Sequence, residues 1–538
     1  MRILVADGLA DEGLRRLRES AEVVVRSGMG EEDLARELRD AEAVIVRSGT
    51  RVSARALEGA LRLRVVARAG VGVDNIDVDA ATRRGILVLN APEASTTAAA
   101  EHTMALLLAL VRHVPQAHAS LTAGRWDRES FVGTELAGKT LGIVGLGKIG
   151  SEVARRALAF GMRVIAHDPY VTEERARRLG VTLVGWQDLL RGSDVITLHV
   201  PLSPETRTLV GAPELGAMKP GVFLVNCARG GLIDETALWE ALNRGHVAGA
   251  ALDVFSQEPP PRDHPLLRHP RVVVTPHLGG STVEAQRSIA LAIAEQVLAA
   301  LRGEPVRGAV NAPALDEETW RRLQPFAELA RALGGLAQQL AEGQLNAVTI
   351  AYEGEVARLD TQPLTAAFLV GLLHRISDQP VNLVNAVVLA RERGLRVSEA
   401  HTELCEDFAS QIVTEAATTR GTLRIGGTLF GHREARITLV DRWRLDLVPA
   451  PHMLFVWNVD RPGMIGRVGT ILGQYGVNIA NMHVGRQDAG GTALMVLTLD
   501  APAPPEVVRK IEETDGIAQV KAVHLGGHSL NAAGERHG

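Results

Sequence analysis

Five short apolar runs, "RILVAD", "AEVVVR", "AEAVIVRS", "LRVVARAG" and "GILVLN", alternate with helical segments such as "EEDLARELRD" through the first hundred residues, and the alternation restarts at "KTLGIVGLGKIG". Runs with no polar face to offer water belong inside parallel sheets that helices cover on both sides. The second series, "MRVIAHD", "DVITLHV", "GVFLVNCARG", "AGAALDV" and "RVVVTPH", is of the same kind. The expected fold class is therefore α/β, opening with two Rossmann-like, doubly wound parallel-sheet units. A helical pattern over 283–302 is expected to cross back, so that 1–97, completed by 283–308, flanks a second unit over 98–282.

A chain of 538 residues exceeds what one core usually serves, and roughly three or four domains are expected. Residues 309–450 combine a helix at "GGLAQQL" with Gly-rich hairpin signals in "RGTLRIGGTLFGHREARITLVD" and read as an α+β domain. Residues 451–526 read strand, helix, strand, strand, helix, strand, the ferredoxin-like order. The tail 527–538 reads as disordered.

A net charge of −5 gives no electrostatic reason to expect nucleic acid or a membrane surface as partner. Two cysteines, Cys227 and Cys405, are too few for a disulfide framework or a cysteine-ligated zinc site, and a reducing cytoplasm is the simplest home. The opening "MRILVADGLADEGL" lacks the long apolar run of a signal peptide, and "HTMALLLALVRH" is bounded by polar residues at His102 and Arg112, which marks a core or interface helix.

"GLGKIG" sets Gly145, Gly147 and Gly150 in G-x-G-x-x-G spacing between an apolar strand and a helix. The first glycine permits the turn, the second lets a pyrophosphate approach the backbone, and the third lets helix and strand close together. Eighteen residues past Gly150, "MRVIAHD" ends in Asp168, where a carboxylate can accept from an adenosine ribose. Pro169 and Tyr170 follow, with no adjacent cation for a 2′-phosphate, so NAD is favoured over NADP.

Nicotinamide chemistry needs a proton-transferring group and a cation for the substrate. Arg229 follows one strand, Glu258 the next and His277 the one after, so all three meet the carboxyl edge where open α/β sheets bind ligands. A carboxylate on an imidazole fixes its tautomer and strengthens it as a base, which makes His277 the proton acceptor from an alcohol or donor to a ketone. The Arg229 fork matches a substrate carboxylate.

Taken together, "GLGKIG", "HDPY", "HVPLSPETRTLV", "NCARGGLIDETAL", "AALDVFSQEPP" and "TPHLGGST" resemble the NAD-dependent D-2-hydroxyacid dehydrogenases. "VRSGTRV", "ARAGVGVDNID" and "NVDRPGMIGRVGTIL" narrow the likeness to the long-form phosphoglycerate dehydrogenases within that family. The resemblance implies catalysis by Arg229, Glu258 and His277. Asp253 is implied on the nicotinamide side, and Lys148, Ile149, Cys227, Ala228, Gly279 and Gly280 along the NAD cleft. Arg47, Ser48 and Arg68, with the amides of Gly49, Val71 and Gly72, are the expected contacts for a phosphorylated substrate, 3-phospho-D-glycerate. Arg128 is a candidate to reach a neighbouring subunit's site in a homo-oligomer, dimer or tetramer.

"NVDRPGMIGRV" further resembles the ACT domain that binds small amino acids, which implies L-serine as effector. Asn458, Asp460 and Asn478, with the turn at Gly463, are its expected site. Arg433, Arg436 and Arg442 are candidates, by charge alone, for a second anion site. The alternatives at this stage are another 2-hydroxyacid dehydrogenase, acting on glycerate or 2-hydroxyglutarate, and a non-enzymatic NAD-sensing protein.

Overall fold

A computed structural model describes residues 1–431 and 433–526; the tail expected to be disordered lies outside the described residues. The first five runs form one parallel sheet in the order Glu22–Val25, Arg2–Val5, Ala43–Val46, Val65–Arg68, Leu87–Leu89. Helix Val283–Arg302 returns to this sheet, and Ile289, Ile293, Val297 and Leu298 bury themselves against Ile3, Val5 and Ala67. The linker after that helix adds a bridge between Leu89 and Ala309.

The second sheet is also parallel, in the order Val272–Val274, Val247–Leu252, Val222–Asn226, Val195–Leu198, Thr140–Val144, Arg163–His167, Thr182–Leu183. From Thr140–Val144 the chain first winds one way and then, at Val195–Leu198, the other. That reversal opens a crevice outside the strands' carboxyl ends. Helix Thr96–Val111 packs Met104, Leu107 and Leu110 beneath the sheet, and no helix among the described residues is long and apolar enough to cross a membrane.

The third unit is a six-stranded mixed sheet, in which only Arg396–Thr402 and Leu345–Gly354 run parallel. Helices Glu317–Leu340 and Gln362–Leu373 cross closely upon it; a Cβ on Gly371 would stand 2.0 Å from the Arg331 carbonyl oxygen. The fourth unit is an antiparallel sheet ordered Ile479–Arg486, Thr492–Leu499, His452–Val459, Ile517–His524. Alternation divides its faces: Leu454, Val456 and Leu497 pack on its own two helices, whereas Met453, Phe455 and Val523 join the core of the third unit.

Candidate active site

Strand Thr140–Val144 ends at Gly145, whose φ of +90° suits glycine and whose Cβ, if present, would stand 2.6 Å from the His199 carbonyl oxygen. A Cβ on Gly150 would meet the Gly145 carbonyl oxygen at 2.1 Å, so the helix Lys148–Ala159 can close on its strand only with glycine there. Gly147 differs from both. It caps that helix and has nothing within 4 Å of where its Cβ would stand. The first amides of the helix therefore face room for an anion such as a pyrophosphate.

Asp168 closes this loop: its Oδ2 accepts from the Leu146 amide at 2.8 Å and its Oδ1 from the Tyr170 amide at 2.9 Å. Each oxygen keeps a lone pair that a ribose hydroxyl can use. Lys148 pairs with Glu93 at 2.6 Å, on the crossover between the two sheets. The residues thus fit a dinucleotide: a cradle opened by glycine, a helix N-terminus, and a carboxylate at the adjoining strand end.

The other strand ends bring acid, base and cation together. His277 has a left-handed backbone, φ 55°, and its Nδ1 meets Glu258 Oε2 at 2.7 Å. Glu258 Oε1 in turn accepts from the Phe255 amide at 3.1 Å. Burial pushes the Glu258 carboxyl up, but the His277 hydrogen bond and charge outweigh it and hold the group below its ordinary value. With Nδ1 occupied by the carboxylate, Nε2 is left for substrate; the His277 side chain is 42% exposed. The Arg229 loop abuts this pair, since a Cβ on Gly230 would stand 1.8 Å from the Phe255 carbonyl oxygen.

Asp253 explains how His277 holds its backbone. Only 1% exposed, it accepts at Oδ1 from the Leu278 amide, 2.7 Å, and the Thr275 hydroxyl, 2.6 Å, and at Oδ2 from the Gly279 amide, 2.9 Å, while its own carbonyl takes the His277 amide, 2.8 Å. His102 Nε2 approaches Oδ1 at 3.2 Å. Burial raises the carboxyl, yet His102, Thr275 and Leu278 together bring it below the ordinary value, so it is ionised. Gly280 lies beside Ser95, where a Cβ would touch that side chain at 3.5 Å. Cys227, next to Ala228, is pushed by burial up to about 12 and stays a neutral thiol.

From the first sheet, Arg47 and Arg68 face Arg229. Arg229 Nε reaches Asp74 at 3.0 Å, and a Cβ on Gly72 would collide with its guanidinium at 1.9 Å. Burial first, then the Arg229 and Arg47 charges, lower Arg68 to about 10 against the opposing pull of Asp7 and Asp74. It remains charged at neutral pH, in a cluster of three guanidiniums. Asp7 is engaged by the Arg47 amide and the Thr50 hydroxyl, so little of its charge is free for them. The amides of Ser48, Gly49, Val71 and Gly72 have no protein acceptor among the described residues. Arg47 borders a cavity of about 240 Å³ shared with Gly8, Ala69 and Gln286.

Asp7, Asn75, His102, Thr275 and Gln286 escape the sequence reading. Asn75 is typical: it binds Arg68 Nε at 3.2 Å and the Arg47 carbonyl at 2.7 Å, fixing both arginines without touching the crevice by motif. Arg128 is exposed and makes no hydrogen bond or ion pair among the described residues.

In the fourth unit, Asn458 is buried and donates to the Val459 carbonyl, with its Oδ1 unpartnered; Asp460 faces Arg486 at 3.3 Å; Asn478 binds Asp500 at 2.7 Å. No hydrogen bond joins the three to one another among the described residues. Gly463, φ 91°, starts helix Met464–Gln474 beside them. Of the three arginines of the third unit, Arg436 is held between Glu434 and Asp446, and Arg442 binds Thr492 and stacks on Trp443.

Comparison with known proteins agrees with this layout. Residues 104–279 match the D-isomer specific 2-hydroxyacid dehydrogenase NAD-binding domain, 322–441 the D-3-phosphoglycerate dehydrogenase intervening domain, and 452–516 the ACT domain. A D-3-phosphoglycerate dehydrogenase of Methanocaldococcus jannaschii is 45% identical over 98% of this chain and 100% of its own length. That of Bacillus subtilis is 43% identical over 97% and 99%. Among solved structures, a D-lactate dehydrogenase of Aquifex aeolicus complexed with NAD and lactic acid is 29% identical, with a TM-score of 0.51 over 56% of this chain and 96% of its own.

Proposed function

Since the chain belongs to the D-3-phosphoglycerate dehydrogenases, we propose that it oxidises 3-phospho-D-glycerate to 3-phosphooxypyruvate with NAD, the entry step of serine synthesis. The observation that supports the reading is the Glu258–His277 pair beside the Arg229 loop at the strand ends of the second unit, with Arg47 and Arg68 of the first unit facing Arg229. The cations suit a substrate carrying both a carboxylate and a phosphate.

Bound NAD supplies the hydride acceptor, and Gly145, Gly147, Lys148, Ile149, Gly150, Asp168, Cys227, Ala228, Asp253, Gly279 and Gly280 are the residues to hold it. Arg229 takes the substrate carboxylate and orients the carbon that is oxidised. His277 Nε2 receives the hydroxyl proton as the carbonyl forms, and Glu258 on Nδ1 stabilises the imidazolium. Arg47 and Arg68, with the amides of Ser48, Gly49, Val71 and Gly72, take the phosphate. The catalytic groups come from the second unit, 98–282, and the phosphate contacts from the first, 1–97 with 283–308.

The ACT domain suggests an amino-acid effector. L-serine, the product of the route, is the proposed ligand: Asp460 offers a carboxylate to the α-ammonium, and Asn458 and Asn478 flank the Gly463 turn. Trp126 and Val132, each 79% exposed on the arm after helix Val114–Thr122, favour a homo-oligomer, and two free cysteines fit the cytoplasm. The test is NADH formation from 3-phospho-D-glycerate and from D-glycerate, each with and without L-serine. Strong preference for the phosphorylated acid, suppressed by serine, is expected; equal use of both acids would point to another 2-hydroxyacid dehydrogenase, and no turnover with any 2-hydroxy acid to a binding protein.

A further inference from the structure

A cavity of about 150 Å³ lies where the first unit, the linker after its returning helix and the third unit meet. Leu87, Val306, Ala312, Leu315, Trp320 and Leu383 make most of its wall apolar, and Arg64, Glu304 and Asn382 interrupt that wall. Arg64 Nη1 donates to the Leu301 carbonyl at 2.9 Å, but its buried Nε has no hydrogen-bond partner among the described residues. The carboxylates around it are engaged elsewhere: Glu42 by Arg62 at 3.8 Å and the terminal amine at 3.6 Å, and Glu304, which also lines the cavity, by Arg302 at 2.6 Å. A half-buried guanidinium whose buried Nε–H is unused is complementary to a carboxylate, and the remaining apolar space to a short hydrocarbon. Cavities of roughly this size accept a ligand of about six heavy atoms.

We propose that this cavity binds a small aliphatic monocarboxylate, its carboxylate on Arg64 and its chain against the apolar wall. The position gives the site a consequence. Arg64 immediately precedes strand Val65–Arg68, at whose far end Arg68 stands in the catalytic crevice, about 13 Å away along the strand. On the opposite side the third unit is clamped to the first, because Asn382 Nδ2 donates to the Gly85 carbonyl at 2.8 Å. A ligand here touches the catalytic and regulatory halves at once, and any preference it has for one arrangement of them transmits to the crevice. The binding site does not depend on the catalytic reading; only its effect on turnover does.

The test uses the full chain and two probes of one shape, isovalerate and the uncharged 3-methylbutanol, titrated by calorimetry and ligand-observed NMR. Isovalerate is expected to saturate one site per chain in the millimolar range, with the alcohol about tenfold weaker or worse. Arg64→Met should reduce isovalerate to the level of the alcohol. Ala312→Phe, which fills the cavity and keeps the guanidinium, should abolish both while melting as the parent does. Absence of saturable isovalerate binding, equal affinity for the two probes, or full binding to Ala312→Phe would each overturn the proposal, whatever the enzyme's substrate proves to be.

Discussion

Two groups of arginines are treated in opposite ways. In the crevice, Arg47 and Arg229 are close enough to depress the Arg68 pKa, and Asp74 is the one carboxylate among the described residues that pairs with a guanidinium there, at 3.0 Å from Arg229. On the outer strands of the third unit, Arg436 lies 3.0 Å from Glu434 and 3.1 Å from Asp446, with its guanidinium over the Phe430 ring, and Arg442 is stacked on Trp443. Residue type is the same, but in the first cluster guanidiniums face one another, whereas Arg436 is met by two carboxylates. Like charges held together work against folding unless a ligand supplies the missing anion. What marks a binding site here is charge the protein leaves uncompensated.

The largest effect that sharpens this contrast belongs to the base served by the cations. His277→Ala is expected to lower kcat by about 10³ to 10⁴, with NAD affinity nearly unchanged by fluorescence titration. Near-parental turnover would remove His277 from the mechanism. Arg229→Lys keeps the charge and loses the fork, and kcat/KM for the phosphorylated acid should fall roughly 10²-fold. A loss confined to a few-fold would mean that the cluster acts only as diffuse charge.

Acid stability gives a smaller signal. Glu258 is held below its ordinary value, so its contribution to folding is full above the ordinary carboxylate pKa of about 4.3 and is lost as pH falls through the depressed value. Glu258→Gln should therefore flatten the acid limb of the unfolding free energy below about pH 4, measured by denaturant titration; an unchanged limb would show the pair to be uncoupled. The smallest effect should come from the neutralised cluster: Arg436→Met is expected to cost at most about 1 kcal/mol and to leave KM unchanged. A rise in KM there would break the comparison.

Both parallel sheets are legible as runs of apolar residues, because burial on two faces leaves no room for polar ones. Strand Thr182–Leu183 escapes, since two residues at a sheet edge show no pattern, and Arg396–Thr402 escapes because one valine among exposed residues does not read as a strand. Glycine spacing and strand ends reveal Gly147, Arg229 and His277. The supporting groups are hidden for a different reason: Asp7 serves a backbone amide forty positions on, and His102 meets Asp253 across 151 residues, pairings that only the folded topology creates.

The most direct test of the central claim is the ratio of kcat/KM for 3-phospho-D-glycerate to that for D-glycerate, in the parent and in Arg47→Met. The Arg47 side chain makes no hydrogen bond among the described residues, so its loss should not disturb the fold. The uncompensated cluster predicts a high ratio in the parent that falls about tenfold or more in the variant, through the phosphorylated acid alone. A ratio that does not change would contradict it.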